Sequence, residues 1–283
     1  MTEKTEDSVY KNDIPHSYDG INWKLESIYN IRVGNIYDPS KFWIVHFTEE
    51  LNLFYSYMNS FYNEKYEEYR MPVEYMKRNT YCAVYTDNGF YRALIVEITN
   101  TVRPDDRIIV FLLDFGYTST VSPDNIYILY EKMFHMPRCA IRACLYGIEP
   151  YDSDTWTTQA TEKFKELTQG KILMGQLCGI DDKYKTVYIR IVDIAHATEQ
   201  MDVGETLIIK KMAKIARIKN MKCTEKHTEK FIPKVKYPYL CPSFDLLESG
   251  TMPSSVHVVE LLKTYMMTEK LFQPYYTCGG IDQ

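Results

Sequence analysis

The 283-residue sequence contains no apolar run close to the roughly 18 residues a membrane-spanning helix needs. Its polar start, MTEKTEDSVYKND, has no apolar segment of the kind a secretory signal carries. A cytosolic protein with no membrane contact is therefore expected. Cysteines number seven, an odd count at irregular spacing, so reduced thiols are expected in place of a disulfide framework. The nearest approach to a metal-ligand group is Cys223 and His227 with the distant Cys241, and no Cys-x-x-Cys pair accompanies it. Neither metal nor other cofactor is expected. Excess positive charge is missing as well: 33 basic and 38 acidic residues leave a net charge of −5, so no overall field draws in nucleic acid.

Catalytic signatures are equally scarce. There is no G-x-S-x-G, and six scattered histidines offer no evident base for serine or cysteine chemistry. The tripeptide Asp114-Phe115-Gly116 holds magnesium in protein kinases. Here it lacks the Gly-rich loop, the strand lysine, the His-Arg-Asp segment and the Ala-Pro-Glu that kinase chemistry requires. Metal-assisted phosphodiester hydrolysis would need clustered carboxylates and nearby arginines, and the only Glu-x-Arg of the flanking regions, Glu68-Tyr69-Arg70, lies in a charged stretch. No enzymatic activity is expected.

Aromatic residues are plentiful, with 25 tyrosines and 12 phenylalanines. Such side chains form cores, but they also build cages for cations. Asn30 to Phe47 reads as a strand, a turn at Asp38-Pro39-Ser40 and a second strand. A helix follows, with Leu51, Phe54, Met58 and Phe61 on one face behind Thr48 as its cap. Thr80 to Ile126 reads as all-β, with Asp87-Asn88-Gly89 as a type I′ hairpin turn. A helix over Thr155–Leu167, capped by Asp154 and ended by Gly170, precedes a hairpin across Asp181-Asp182-Lys183 and a helix over Glu205–Ala216. The order implies a small barrel inserted into a split second domain.

Within the β segment, CAVYTDNGFYRALIVEI and IIVFLLDFGYTSTVSPDNIYIL resemble the core of a Tudor domain. Phe90-Tyr91-Arg92-Ala93 stands for that family's Trp-Tyr-Arg-Ala, and Asp114-Phe115-Gly116-Tyr117 for its Asp-Tyr-Gly-Asn. With its flanks the chain is similar to an extended Tudor domain, in which a five-stranded barrel sits inside a split OB-type, staphylococcal-nuclease-like half. This resemblance implies a mainly β fold with helices: a polar segment 1–21, an extended Tudor domain 22–216 (barrel about 72–135, halves 22–71 and 136–216), and a basic linker and helical tail 217–283. It further implies a non-enzymatic adaptor. The adaptor would grip an arginine-containing peptide, methylated or not, from the tail of a Piwi-type Argonaute in a cytoplasmic or germ-granule (nuage) assembly.

The cage positions of that family fall on Tyr85, Tyr91, Leu112, Phe115 and Tyr117, with Asp114 and Asp87 as acids within reach of the peptide. Two depart from the family pattern: Leu112 replaces an aromatic wall, and Tyr117 replaces the guanidinium-binding asparagine. A lost cation–π wall costs about 0.5–1 kcal/mol and a lost hydrogen bond to a charged group about 1.5–3, so roughly 30- to 1000-fold weaker methylarginine binding is expected without compensation. The ring and hydroxyl of Tyr117 offer such compensation. A competing expectation is single-stranded RNA binding by an OB-type module through the basic stretch 216–238. Beyond it, Ser254 to Phe272 has apolar residues at helical spacing.

Overall fold

The computed structural model describes residues 13–46, 48–98, 107–194, 201–216 and 242–250. The Cys223, His227 and Cys241 group, almost all of the basic stretch and the helical pattern over 254–272 lie outside them.

Two barrels share the chain. Strands β1 (Ile28–Asp38) and β2 (Lys41–Val45) are joined by a tight turn in which the Asp38 carboxylate accepts from the Ser40 amide at 2.7 Å. They pair with β8 (Ile141–Leu145), β10 (Ile172–Asp181) and β11 (Thr186–Asp193) in the order β10-β1-β2-β8-β11, and β10 pairs again with β11, which closes the ring. Strands from both sides of the intervening segment thus complete one barrel. Its interior holds Ile31, Val33, Phe42, Ile44, Ile141, Leu173, Val187, Ile189 and Ile191, all buried. The short β12 (Met201–Asp202) extends the sheet from β11, and β9 (Ile148–Pro150) pairs with β13 (Ala213–Ile215) apart from it.

Between β2 and β8 the chain forms the second barrel, from β3 (Tyr81–Thr86), β4 (Gly89–Ile98), β5 (Ile108–Leu112), β6 (Tyr117–Val121) and β7 (Ile126–Ile128), in the order β6-β5-β4-β3-β7. Asp87 (φ 46°) and Asn88 (φ 64°) both adopt the left-handed conformation, as a type I′ turn requires. That turn fixes the register: Val84 faces Tyr91, and Tyr85 faces Phe90. Cys82, Val84, Ala93, Ile95, Val110, Leu112 and Val121 fill the interior.

Helix α2 (Thr48–Lys65) lies across the outer face of this second barrel, after the short α1 (Ser17–Gly20). Its buried stripe is Leu51, Tyr55, Met58 and Tyr62, with Phe54 and Phe61 only partly covered. The helix is therefore turned toward its tyrosines relative to the sequence expectation, because their hydroxyls find buried acceptors: Tyr55 donates to Asp114 and Tyr62 to the Ile128 carbonyl. Two other boundaries differ. Helix α3 (Thr158–Thr168) is capped by Thr157, whose hydroxyl accepts from the Ala160 amide at 3.2 Å, and not by Asp154. Helix α4 (Val203–Ile209) is shorter than expected, since the segment after it becomes β13 and pairs with β9. A further helix among the described residues, α5 (Phe244–Glu248), is capped by Ser243.

Candidate functional site

The turn of residues 113–116 that follows β5 carries the Asp114-Phe115-Gly116 tripeptide, and its geometry accounts for each residue. Asp114 is completely buried. Its carboxylate accepts from Arg92 Nε at 2.9 Å, Arg92 Nη2 at 2.7 Å, the Tyr55 hydroxyl at 2.7 Å and the Cys139 amide at 2.9 Å. Both oxygens are thereby occupied, so Asp114 is a structural anion and not a peptide contact; that sequence expectation is corrected. Gly116 has φ +77°, and a Cβ there would lie 2.2 Å from Cγ of Trp43. Both the left-handed backbone and the close approach of the indole require glycine.

On either side of Gly116 stand two half-buried rings, Phe115 and Tyr117. The Phe115 and Tyr91 rings meet edge to face with centroids 5.4 Å apart. Tyr117 lies on the interior face of β6, and its hydroxyl approaches the exposed Asp87 carboxylate at 3.4 Å. Burial and the Asp87 charge push the Tyr117 phenol up to about 12, and the same two causes raise that of Tyr91. Both phenols thus remain neutral at physiological pH. The three rings border one end of the barrel, with an anionic carboxylate at the rim. Aromatic faces and a carboxylate together suit a guanidinium, which the ring quadrupoles attract and the carboxylate can pair.

The other expected positions lie elsewhere. Leu112 is fully buried in register with Ala93 and Tyr117, so it fills the barrel interior below these rings and is not a wall. Tyr85 stands on the opposite face of β3 from Val84, and its ring packs against Phe90 with centroids 5.0 Å apart. It is 38% exposed, but on the outer side of the barrel. The ring the sequence reading missed is Tyr55 of α2, whose centroid is 5.4 Å from that of Tyr91 and 5.3 Å from that of Phe115. The signal was the stripe of residues 51, 55, 58 and 62, which fits helical spacing as well as the one chosen.

Comparison with known proteins agrees with this architecture. Residues 24–147 match the sequence model of the Tudor domain family. They form a Tudor domain. Similar proteins include human Tudor domain-containing protein 6, 24% identical over 64% of this chain and 8% of that protein. Drosophila melanogaster Protein tudor is 30% identical over 52% of this chain and 5% of its own length. The chain thus spans less than a tenth of these relatives. Among solved structures, the extended Tudor domain TD3 of mouse TDRD1, in complex with a MILI peptide containing dimethylarginine, superposes with a TM-score of 0.58 at 17% identity, covering 69% of this chain and 97% of that one. The extended Tudor domain of Drosophila melanogaster Papi, in complex with an unmethylated Piwi N-terminal peptide, gives a TM-score of 0.61 at 20% identity, covering 67% of this chain and all of that one. The fold is that of an extended Tudor domain, with the Tudor barrel set into a split second barrel.

Proposed function

We propose that this Tudor domain is a non-enzymatic adaptor that binds an arginine-containing peptide, of the kind found in Piwi-type Argonaute tails, at the ring cluster of Tyr91, Phe115 and Tyr117. The observation that carries the reading is that cluster beside the Asp87 carboxylate. Solved extended Tudor domains of the same fold are complexed with dimethylated peptides and with an unmethylated Piwi peptide, which supports arginine as the recognised group. The guanidinium lies against the rings of Tyr91 and Phe115 and pairs with Asp87, while the Tyr117 oxygen accepts from it. Extended Tudor organisation over 22–216 gives the peptide a groove between the two halves, and a cytoplasmic germ-granule setting follows from such a partner.

Capture of an arginine peptide by the full chain tests this. Tyr91→Ala with Phe115→Ala should weaken it at least about tenfold, or 1.4 kcal/mol, while circular dichroism shows the fold intact. Unchanged binding by the folded double variant would exclude the cluster as the site.

A further inference from the structure

The face where β2 and β8 pair carries a tryptophan and an arginine that the barrel interior does not use. Alternation sends Phe42, Ile44, Ile141 and Ala143 into the core. The same alternation sends Trp43 and Arg142, direct partners across the two strands, to the outside. An outward tryptophan paired with an outward arginine contributes nothing to that interior. Both are nevertheless covered, Trp43 to 1% exposure and the Arg142 side chain to 14%; the turn at Gly116 packs on the indole from one side, and residues 242–250 engage the indole N–H and the guanidinium.

Each anchor of that segment has a defined partner. Glu248 accepts from Arg142 Nε at 2.9 Å, Arg142 Nη2 at 2.6 Å and Trp43 Nε1 at 3.1 Å. Asp245 accepts from Arg142 Nη2 at 2.6 Å. The Phe244 ring meets the Trp43 indole edge to face at 5.1 Å, with the Arg142 guanidinium 5.5 Å from its centre. Pro242 is buried, and Gly250 (φ +71°) passes so close to Val96 and Ile109 of the Tudor barrel that a Cβ would lie 2.9 and 2.7 Å from them. Nη1 of Arg142 is held by the Tyr184 carbonyl at 3.2 Å, which orients the fork toward the carboxylates. A planar fork matched by a carboxylate, an indole N–H on the same oxygen and an edge-on aromatic pair form a specific set of contacts, beyond diffuse charge attraction.

We propose that Trp43 and Arg142 form a second peptide-binding site, for a short aromatic and acidic motif of the pattern Phe-Asp-x-x-Glu-x-Gly, whose resident occupant is residues 242–250 of the same chain. The inference is independent of the arginine-peptide reading, since it concerns the opposite charge and other residues. Tethering gives the resident segment an effective concentration of about millimolar, so a peptide from outside competes only when the segment is released.

The test uses the full chain and a fluorescein-labelled synthetic peptide of residues 242–250. Phe244→Ala with Glu248→Ala releases the segment, and this variant should bind the peptide at least tenfold more tightly than the unaltered chain. Adding Arg142→Gln, or the milder Trp43→Phe, which keeps a ring but removes the N–H donor, should weaken that binding at least tenfold. A peptide with alanine in place of its glutamate should bind poorly. Equal binding by the released and unaltered chains, or binding by neither, overturns the proposal, as does equal binding of an acidic peptide lacking the phenylalanine. A dimeric chain that becomes monomeric on release overturns the assignment of the segment to its own copy.

Discussion

Arg92 is the residue on which the two halves meet. Each of the five N–H donors of its guanidinium has an acceptor: two reach Asp114, and the others reach the carbonyls of Met133, Met136 and Pro137. Both Arg92 and Asp114 are wholly buried. Breaking such a pair leaves an uncompensated charge in the interior, so Arg92→Met should lower unfolding free energy by about 3–5 kcal/mol in urea titration. Arg92→Met with Asp114→Leu should cost less than the sum of the two single changes.

A second residue sets the acid limit. The half-buried His16 imidazole accepts from the Tyr18 amide at 3.2 Å, and desolvation with the nearby Arg138 and Arg142 charges pushes it down to about 4 from 6.5. The unfolded chain therefore binds the extra proton between pH 6.5 and 4, and stability falls as pH falls through that window. The protein should lose about 2–3 kcal/mol more than His16→Asn between pH 7 and 4.5. An equal loss in both would remove His16 as the cause.

The residue identities of the ring cluster were legible in the short motifs, but their faces were not taken from them. The two-residue turn at Asp87 and Asn88 already fixes that Val84 opposes Tyr91. Parity along β3 then sends Tyr85 to the other side. The information was present in the sequence as register, a property of a strand pair and not of any single residue.

Among the elements, the turn of residues 113–116 ties the ring cluster to the split barrel. The Phe115 carbonyl accepts from the Asn35 amide at 3.3 Å and the Gly116 carbonyl from Asn35 Nδ2 at 3.1 Å, with Trp43 packed on the glycine. Gly116→Ala should cost about 1–2 kcal/mol for its left-handed backbone alone, and overlap with the indole adds to it. It should also weaken arginine-peptide binding, because Phe115 and Tyr117 flank the displaced residue. A melting temperature and affinity both unchanged would show that the turn tolerates the shift. Helix α4 and strand β13 mark the limit of local reading. VGETLIIKKMAKI has helical spacing throughout, but Lys211 adopts φ 55° and Ala213–Ile215 pair with Ile148–Pro150, more than sixty positions earlier. Only a partner distant in sequence distinguishes the strand from one more helical turn.

At the scale of the whole molecule, the inserted barrel was legible because its strands are contiguous, and the split barrel because strand pairs flank the insert on both sides. The docked segment at Trp43 and Arg142 was not, since nothing in the run of residues 242–250 names a surface one hundred to two hundred positions away. The same scale governs methyl selectivity. Enclosure of added methyl groups requires aromatic faces in place of water, and here the interior position below the rings is the fully buried Leu112, set directly against Tyr117. An unmethylated guanidinium keeps all its donors and can pair with Asp87 and Tyr117 as well as a methylated one.

The most direct measurement is a titration of the full chain with one Piwi N-terminal peptide in unmethylated and symmetrically dimethylated forms, beside the folded Tyr91→Ala, Phe115→Ala variant. Both forms should bind within about tenfold of each other, 1.4 kcal/mol, and both should be lost in the variant. Failure of either form to bind, binding that survives the double substitution, or a preference for the dimethylated form of about a hundredfold, 2.8 kcal/mol, would contradict the account.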